Sequence, residues 1–302
     1  MVYFWEWLKG PRKWLNRAMI VFLGLMVGAV LVVLASMIVA RTWPDKRSLV
    51  YLLPKVLIVI VAIVQNRSDL LVGGLVGENL SQLLFVIALV ALTGGRLAIV
   101  GEFSWWEMAA TLVVTSAPVI LLLDGGLSRL DGVILLIVAL IYSRISELSR
   151  RRNKPMTKPS RYAGWIIAAG LLGLLVGADL LTLSLSGLAQ ALVLPVELVG
   201  LLILALVLSA SEASAGRRFG LSLAGLMGGL VTNSCLLIGL VTFIRPVIIH
   251  GVGYFALANV FFGLMFGMFW LLVKTKKKIS RGEGLILVGI YLMFVGLGLL
   301  VV

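Results

Sequence analysis

Long apolar segments separated by short polar connectors run through most of this 302-residue chain. A helix needs about 20 apolar residues to cross the hydrocarbon core of a bilayer. The pattern predicts ten transmembrane helices, at approximately 18–40, 49–65, 70–93, 105–123, 127–147, 163–192, 195–215, 219–243, 246–273 and 283–302. Because the apolar segments recur to the end of the chain, the pattern favours a ten-span protein over a signal peptide followed by a domain.

The composition agrees with a membrane location. The chain is 61% hydrophobic and 13% charged, with a mean hydropathy of +1.13, and a soluble domain would expose much of that apolar surface. We therefore expect an all-α polytopic membrane protein. One cysteine, Cys235, allows neither an internal disulfide nor a CxxC metal motif. The single histidine, His250, is either a pH sensor or ligand or an ordinary helix-border residue, and the lack of a second His or Cys nearby favours the latter.

One long polar connector divides the chain. Residues 146–161 contain six Lys or Arg residues and two prolines, with five predicted spans before them and five after. We predict a first five-helix repeat at 1–147, a basic linker at 148–161 and a second five-helix repeat at 162–302. The first repeat begins with an interfacial segment, because residues 5–14 alternate Trp with Lys and Arg.

The positive charges fall mainly on one side of the predicted membrane. With Lys55 set aside as intramembrane, 18 Lys and Arg residues lie in connectors on the linker side and 7 on the other. Because cytoplasmic loops are enriched in Lys and Arg, we predict a cytoplasmic linker and outside termini in the plasma membrane. The net charge of +13 then reflects topology, so the expected partners are the lipid bilayer and small inorganic cations, with no nucleic acid. The oligomeric state is left open.

The two halves share a short internal repeat. Shifting the chain by 151 residues aligns GGLVGENLSQ at 73–82 with AGLMGGLVTN at 224–233. An odd number of spans per half makes the second copy enter the membrane from the opposite side, which gives an inverted repeat. In such transporters the ion site lies near the midplane, where broken helices from both halves meet. Pro54 and the glycine runs at 73–77 and 225–229 are expected to supply those breaks.

Two charged residues, Lys55 and Glu212, lie inside otherwise apolar segments. A charge at the bilayer centre costs about 2.5–3.5 kcal/mol on insertion scales, so such residues usually face a partner or a water-filled cavity. Lys55 and Glu212 therefore define a candidate functional site.

Motifs around these two residues follow a fixed order. The second half contains GADLL at 177–181, LA at 188–189, VGL at 199–201 and SASE at 209–212. The first half contains LPK at 53–55, DLLVG at 69–73, GEN at 77–79, Gln82 and LDGVILL at 130–136. This series resembles the cation/calcium exchanger superfamily, specifically the prokaryotic sodium/calcium exchanger membrane region, over nearly the whole chain. The resemblance implies a secondary cation transporter without a cofactor, with Glu212 in the position of an ion-binding glutamate.

The chain departs from the family pattern at several of these positions. Lys55 replaces the glutamate of the first repeat, Glu78 replaces the serine of the family's GSN, and Ser211 replaces a proline. In the second repeat GSN reads GGL at 228–230. By resemblance, the residues implied in ion binding or coupling are Lys55, Glu78, Asn79, Gln82, Ser209, Glu212 and Asn233, with Glu78 and Glu212 as the metal ligands.

The charges at this site bear on which ion it accepts. Lys55, Glu78 and Glu212 together would carry a net charge of −1, whereas a divalent site normally needs two or more carboxylates among hard oxygen ligands. Among the possible ions Na⁺, H⁺ and Ca²⁺, this favours a monovalent cation or a proton. Two mechanisms stay open. The ammonium either closes the site as a tethered substitute for the ion, in a non-transporting homologue, or releases its proton as a cation arrives, in an antiporter.

Structural roles also stay open for each residue. Lys55 can snorkel to the membrane surface if its span is shifted, Glu78 can lie at a helix end, and Glu212 can pair with Arg217 or Arg218. The three amides and the serine can join helices by hydrogen bonds.

Other polar residues and motifs point away from further chemistry. Asp131 and Asp179 match family positions outside the ion-binding motifs, which implies structural roles. The sequence contains no HExxH, GxGD or GxSxG motif, so we expect no enzymatic activity.

Overall fold

The computed structural model describes residues 11–42, 47–83, 105–149, 163–219, 223–276 and 281–300, and these are almost entirely helical. The helices are α1 (Pro11–Thr42), α2 (Arg47–Val64), α3 (Ser68–Ser81), α4 (Trp105–Leu121), α5 (Arg129–Ser149), α6 (Ala163–Leu192), α7 (Val196–Val199), α8 (Ala205–Phe219), α9 (Leu223–Val231), α10 (Ile238–Ile244), α11 (Val252–Lys276) and α12 (Arg281–Leu300). Each predicted segment contains helix where the structure describes it. The helical class predicted from the apolar pattern is therefore confirmed.

Five helices are long and apolar enough to cross a membrane, within the described ranges. These stretches are Ala18–Val39, Trp105–Asp124, Gly164–Leu192, Gly225–Ile244 and Val252–Leu271, and the shorter apolar stretches are Leu52–Val64 and Val288–Leu300. Residues 5–10 of the predicted interfacial segment, the end of the third span up to residue 93, and the linker from residue 150 onward lie outside the described residues, and residues 11–14 of the interfacial segment lie in α1.

The helix breaks expected at Pro54 and at the glycine runs are wrong. Helix α2 continues through Pro54, α3 continues through residues 73–77, and α9 continues through residues 225–229. The helices instead change to π-helical turns at 82–83, Gly200–Leu204 and Thr232–Leu237. The second of these turns joins α7 to α8 and the third joins α9 to α10. A π-helical turn holds an extra residue and occurs frequently at functional sites.

The glycines of α3 serve close packing at the centre of the molecule. Every residue of α3 except Asp69 is buried. A Cβ atom added to Gly73 would collide with the carbonyl oxygen of Glu197, and one added to Gly77 would collide with that of Leu201. The backbone of α3 therefore lies directly against the chain that continues into α8. The glycines are needed here because the close approach leaves no room for a Cβ atom. They do not interrupt the helix.

Two loops pair at one end of the bundle. After α4, a 3₁₀ turn at Leu122–Asp124 leads to the strand β1 (Gly126–Leu127), which pairs antiparallel with β2 (Val247–Ile248) before α11. Gly126 lies opposite Ile248 in this pairing. The short pairing joins the α4–α5 connection to the α10–α11 connection.

Cys235 has a structural contact inside the bundle. Pro118 lies within α4 and has no N–H, so it leaves the carbonyl of Val114 without its usual donor four residues along. The thiol of Cys235 donates a hydrogen bond to that carbonyl at 3.3 Å. The thiol of Cys235, in the π-helical turn, thus takes the place of a hydrogen bond that is missing within α4.

The close contact of α3 predicts an unequal response of two helical glycines. Gly77→Ala places a methyl group against the Leu201 carbonyl, and we expect it to lower the free energy of unfolding by about 1–3 kcal/mol. Gly263→Ala, in α11, meets no atom within 4 Å and should be neutral or stabilise by up to about 1 kcal/mol through helix propensity. Denaturant titration in mixed micelles measures both. Equal stability of the two variants would contradict this packing.

Candidate ion-binding site

The ammonium of Lys55 lies at the centre of a buried polar cluster. Lys55 is 2% exposed. Its Nζ lies 2.9 Å from Glu78 Oε1, donates to Asn233 Oδ1 at 2.8 Å and forms an ion pair with Glu212 Oε1. An ammonium has three N–H donors, and these three oxygens account for all of them. The arrangement resembles a cation held by oxygen ligands, except that this cation is covalently attached to α2.

Four helical segments deliver the charged and amide groups. Lys55 comes from α2, Glu78 from α3, Glu212 from α8, and Asn233 from the π-helical turn between α9 and α10. Gln82 lies in the π-helical turn after α3, and its Nε2 donates to Glu78 Oε1 at 3.3 Å and to Glu212 Oε2. The amide of Gln82 therefore bridges the two carboxylates, sharing Glu78 Oε1 with Lys55 and contacting the oxygen of Glu212 that Lys55 does not.

A second set of hydrogen bonds surrounds this core. Asn233 Nδ2 donates to Asn79 Oδ1 at 3.2 Å, and Asn79 Nδ2 donates to Ser234 Oγ at 2.6 Å. The first of these bonds uses one amide hydrogen of Asn233, whose oxygen accepts from Lys55. The Oγ atoms of Ser209 and Ser81 are 2.6 Å apart, and Ser81 also donates to the carbonyl of Ala205 at 3.2 Å. This second pair joins α3 to α8.

All seven residues predicted from the sequence lie in this connected region, and the structure adds two more. Ser81 and Ser234 were not singled out in the sequence, although each is adjacent to a predicted residue, Gln82 or Asn233. Their side chains contact Ser209 and Asn79. A polar residue next to a predicted ligand within an apolar helix is a signal that could have found them.

The two carboxylates have different surroundings. Both oxygens of Glu212 have partners, and its side chain is 18% exposed. Glu78 is fully buried, and its Oε2 has no hydrogen-bond partner among the described residues. The Oε1 of Gln82 is also buried without a partner in that part of the chain. Two unsatisfied oxygens thus lie within the cluster, on residues that already contact each other.

The charge balance in the cluster is incomplete. One ammonium faces two carboxylates, so the described groups carry a net charge of −1. Uncompensated charge in a low-dielectric interior is costly, and one further positive charge would neutralise the cluster. No group of three or more His, Cys, Asp or Glu residues that could hold a metal ion occurs in the described residues. The donors present are two carboxylates with amide and hydroxyl oxygens, which are hard ligands suited to alkali or alkaline-earth cations.

One of the alternative roles does not match the structure. Lys55 does not snorkel to the surface, because it is buried and paired. Glu78 lies in the last turn of α3, which ends at Ser81, and its side chain is buried against Lys55. The side chains of Arg217 and Arg218, proposed as partners of Glu212, lie outside the described residues. The amides and Ser209 do join helices, so a structural role for them is compatible with their contacts.

The remaining polar candidates lie apart from the cluster. Asp131 Oδ2 accepts hydrogen bonds from the backbone and side chain of Ser128 at 2.7 Å, at the start of α5. Asp179 accepts a hydrogen bond from Gln65 at 2.5 Å, between α6 and the end of α2. His250 is 85% exposed, and its backbone N–H donates to Glu197 Oε1 at 3.2 Å. None of these contacts involves the predicted ion ligands.

Comparison with known proteins identifies the family. The sequence profile of the family described as sodium/calcium exchanger protein matches residues 47–146 and 162–300. The chain belongs to this family. The match covers both halves and includes every residue of the buried cluster. It confirms the family that the sequence motifs predicted. No curated protein sequence matches the chain.

Solved exchanger structures share the fold of this family member. The sodium-calcium exchanger NCX_Mj soaked with 100 mM Na⁺ and 10 mM Sr²⁺ is 18% identical, with a TM-score of 0.60 over 92% of this chain and 98% of that one. The same exchanger soaked with 2.5 mM Na⁺ and 10 mM Sr²⁺ is 20% identical, with a TM-score of 0.59 over 93% and 97%. The H⁺/Ca²⁺ exchanger CAX is 15% identical, with a TM-score of 0.64 over 93% and 87%. At these identities the comparison establishes a common fold.

Removing the ammonium should destabilise the exchanger-family protein strongly. Lys55→Met leaves the buried Glu78 and the partly buried Glu212 without a cation, and we expect a loss of about 3–5 kcal/mol in the free energy of unfolding. Adding Glu212→Gln to Lys55→Met removes one of the two uncompensated charges and should restore part of that loss. Denaturant titration in mixed micelles measures the series, with the exposed Arg245→Met as control. A Lys55→Met protein as stable as wild type would show that the ion pairs are not formed.

Proposed function

We propose that this protein is a secondary cation antiporter that works by alternating access around the Lys55 cluster, and that its site is altered toward a monovalent cation or a proton. The observation that carries this proposal is the ammonium held by three oxygens from three other helical segments. Lys55 fills the place of one cation permanently. The site therefore needs one bound positive charge fewer to become neutral than a site with the same carboxylates and no lysine.

The two charged departures from the family pattern support this proposal together. Lys55 replaces a glutamate and Glu78 replaces a serine, and their charged atoms are 2.9 Å apart. The new carboxylate compensates part of the new positive charge and keeps the cluster at a net charge of −1. A single Na⁺ or H⁺ neutralises that charge, whereas Ca²⁺ would leave the cluster at +1.

The inverted-repeat architecture is part of the same proposal. The 151-residue shift aligns Gln82 with Asn233, and both residues lie in π-helical turns and face Lys55 or its partners. The family profile also matches in two pieces, separated between residues 146 and 162. These observations support two five-helix repeats at 1–147 and 162–302, joined by a linker at 148–161. We propose a cytoplasmic linker and a plasma-membrane location from the distribution of basic residues.

The full use of the N–H donors of Lys55 favours a second candidate function. Since all three N–H donors of Lys55 are used, the lysine can act as a permanent lock on the cation position. The protein would then be a non-transporting exchanger homologue held in one conformation by its Lys55–Glu212 pair. The two functions differ in whether the wild-type protein moves ions.

The antiporter function predicts that Glu212→Gln abolishes transport. The variant has a neutral cluster before any cation binds, so a cation is no longer attracted to it. Flux of Na⁺, K⁺, Ca²⁺ and H⁺ into proteoliposomes under imposed gradients measures this, and we expect Glu212→Gln to match protein-free liposomes. Asp124→Asn, an exposed carboxylate in the turn after α4, serves as the matched control and should keep wild-type flux. Wild-type flux in Glu212→Gln would refute the proposed site.

The locked homologue predicts a different result for Lys55→Glu. This variant exchanges the tethered cation for a third carboxylate and creates a strongly anionic site. If wild type is silent and Lys55→Glu binds or moves Ca²⁺ or Na⁺, the lysine closes the site. Calorimetric titration with CaCl₂ and NaCl detects binding independently of flux. Flux in wild type would exclude the locked homologue.

A further inference from the structure

Three tryptophans and a lysine form an exposed cluster at one end of α4 and α11. The ring of Trp105, in the first turn of α4, lies 5.8 Å from the ring of Trp270, near the end of α11, and 6.3 Å from that of Trp106. Lys274 Nζ lies 5.3 Å from the centre of the Trp270 ring, which is a cation–π contact. We name Trp105, Trp106, Trp270 and Lys274 the aromatic–basic cluster.

The aromatic–basic cluster lies at the ends of two candidate membrane spans, where lipid headgroups are expected. Both helices are candidate membrane spans, and the cluster is at their ends. Trp side chains are enriched at the boundary between headgroups and hydrocarbon. Trp105 and Trp106 are 58% and 76% exposed, so packing against the described residues does not account for either ring.

An apolar face continues from the cluster into the membrane. On α4, Val113 and Ile120 follow Trp106 at intervals of seven residues, and all three are exposed. On α11, Val260 and Leu264 are exposed as well. These side chains offer a surface for acyl chains directly below a surface for a headgroup.

The sequence that follows Lys274 is strongly basic. Lys274 is followed in the sequence by Lys276, Lys277, Lys278 and Arg281, with no Asp or Glu among them. The nearest acidic residues in the sequence are Glu102, Glu107 and Glu283, against five basic residues at 274–281. Glu107 lies in the first turn of α4, where it suits the helix dipole. Clusters of four or more basic residues directly after a membrane span attract anionic lipids.

We propose that the aromatic–basic cluster binds the headgroup of an anionic phospholipid in the leaflet that faces this end of the bundle. The phosphate contacts Lys274, the indole rings lie at the glycerol level, and the acyl chains cover the apolar faces of α4 and α11. Because Trp105 and Trp270 come from opposite sides of the central linker, a lipid bound here joins the two halves at the membrane surface. The site is separate from the Lys55 cluster, and its existence does not depend on ion transport.

Native mass spectrometry of the full-length protein with phosphatidylglycerol and phosphatidylcholine in competition tests this proposal. Wild type should retain phosphatidylglycerol preferentially. Lys274→Gln should reduce that preference about fivefold, the effect of one basic residue near an anionic surface, and Lys274→Arg should keep it. The matched control is Arg245→Gln, which removes an exposed basic residue just after α10, beyond the far end of α11. That end of α11, Val252, is about 33 Å from Lys274 along the helix. This control should behave as wild type.

Two results would overturn the proposal. Equal preferences in wild type and Lys274→Gln would show that the cluster does not select anionic lipid, and equal losses in Lys274→Gln and Arg245→Gln would show an effect of net charge alone. An excess of soluble glycerol 3-phosphate distinguishes a lipid from a free phosphate. Failure of this compound to displace phosphatidylglycerol supports the lipid, and full displacement identifies a free-anion site and contradicts it.

Discussion

The ion pairs of Lys55 constrain the arrangement of the helices around it. Removing a charge from water costs several kcal/mol even after the protein relaxes, and that cost is offset only if partners are held in good geometry. Lys55 finds its partners on α3, on α8 and in the π-helical turn before α10. A shift of one residue along a helix turns a side chain by about 100°. The registers of four segments are therefore tied to one ammonium.

The close packing of α3 makes this geometry possible. Gly73 and Gly77 bring the backbone of α3 against the carbonyls of Glu197 and Leu201, in the segment that continues into Glu212. The Ser81–Ser209 hydrogen bond joins the same two helices nearer the charged groups. The glycine contacts and the serine hydrogen bond thus both hold α3 against the segment that runs into α8. The packing glycines and the charged residues therefore depend on the same pair of helices.

The two charged residues that depart from the exchanger motifs, Lys55 and Glu78, contact each other in the structure. In the sequence, Lys55 and Glu78 are two separate anomalies 23 positions apart. In the structure their charges meet at 2.9 Å, so each explains how the other can be buried. The unpartnered Oε2 of Glu78 and Oε1 of Gln82 show that the pairing does not saturate the cluster.

The sequence predicted helix positions well because apolar segment length is a local property with a direct relation to bilayer thickness. It also predicted the seven cluster residues, since charges and amides within apolar helices are few and family motifs mark them. It failed on the helix irregularities: Pro54 and the glycine runs suggested breaks, but packing keeps those helices continuous and π-helical turns occur at 82–83, Gly200–Leu204 and Thr232–Leu237.

The amino-acid sequence by itself determined the membrane class, the exchanger family and the polar residues available for a site. Only the tertiary structure decided that Glu78 faces Lys55, that Gln82 bridges the two carboxylates, and that Ser81 and Ser234 complete the hydrogen bonds. The physical reason is that, apart from the Gln82–Glu78 bond, these contacts join residues 23 to 155 positions apart. Their geometry depends on helix rotation and close approach, which no local pattern in the chain specifies.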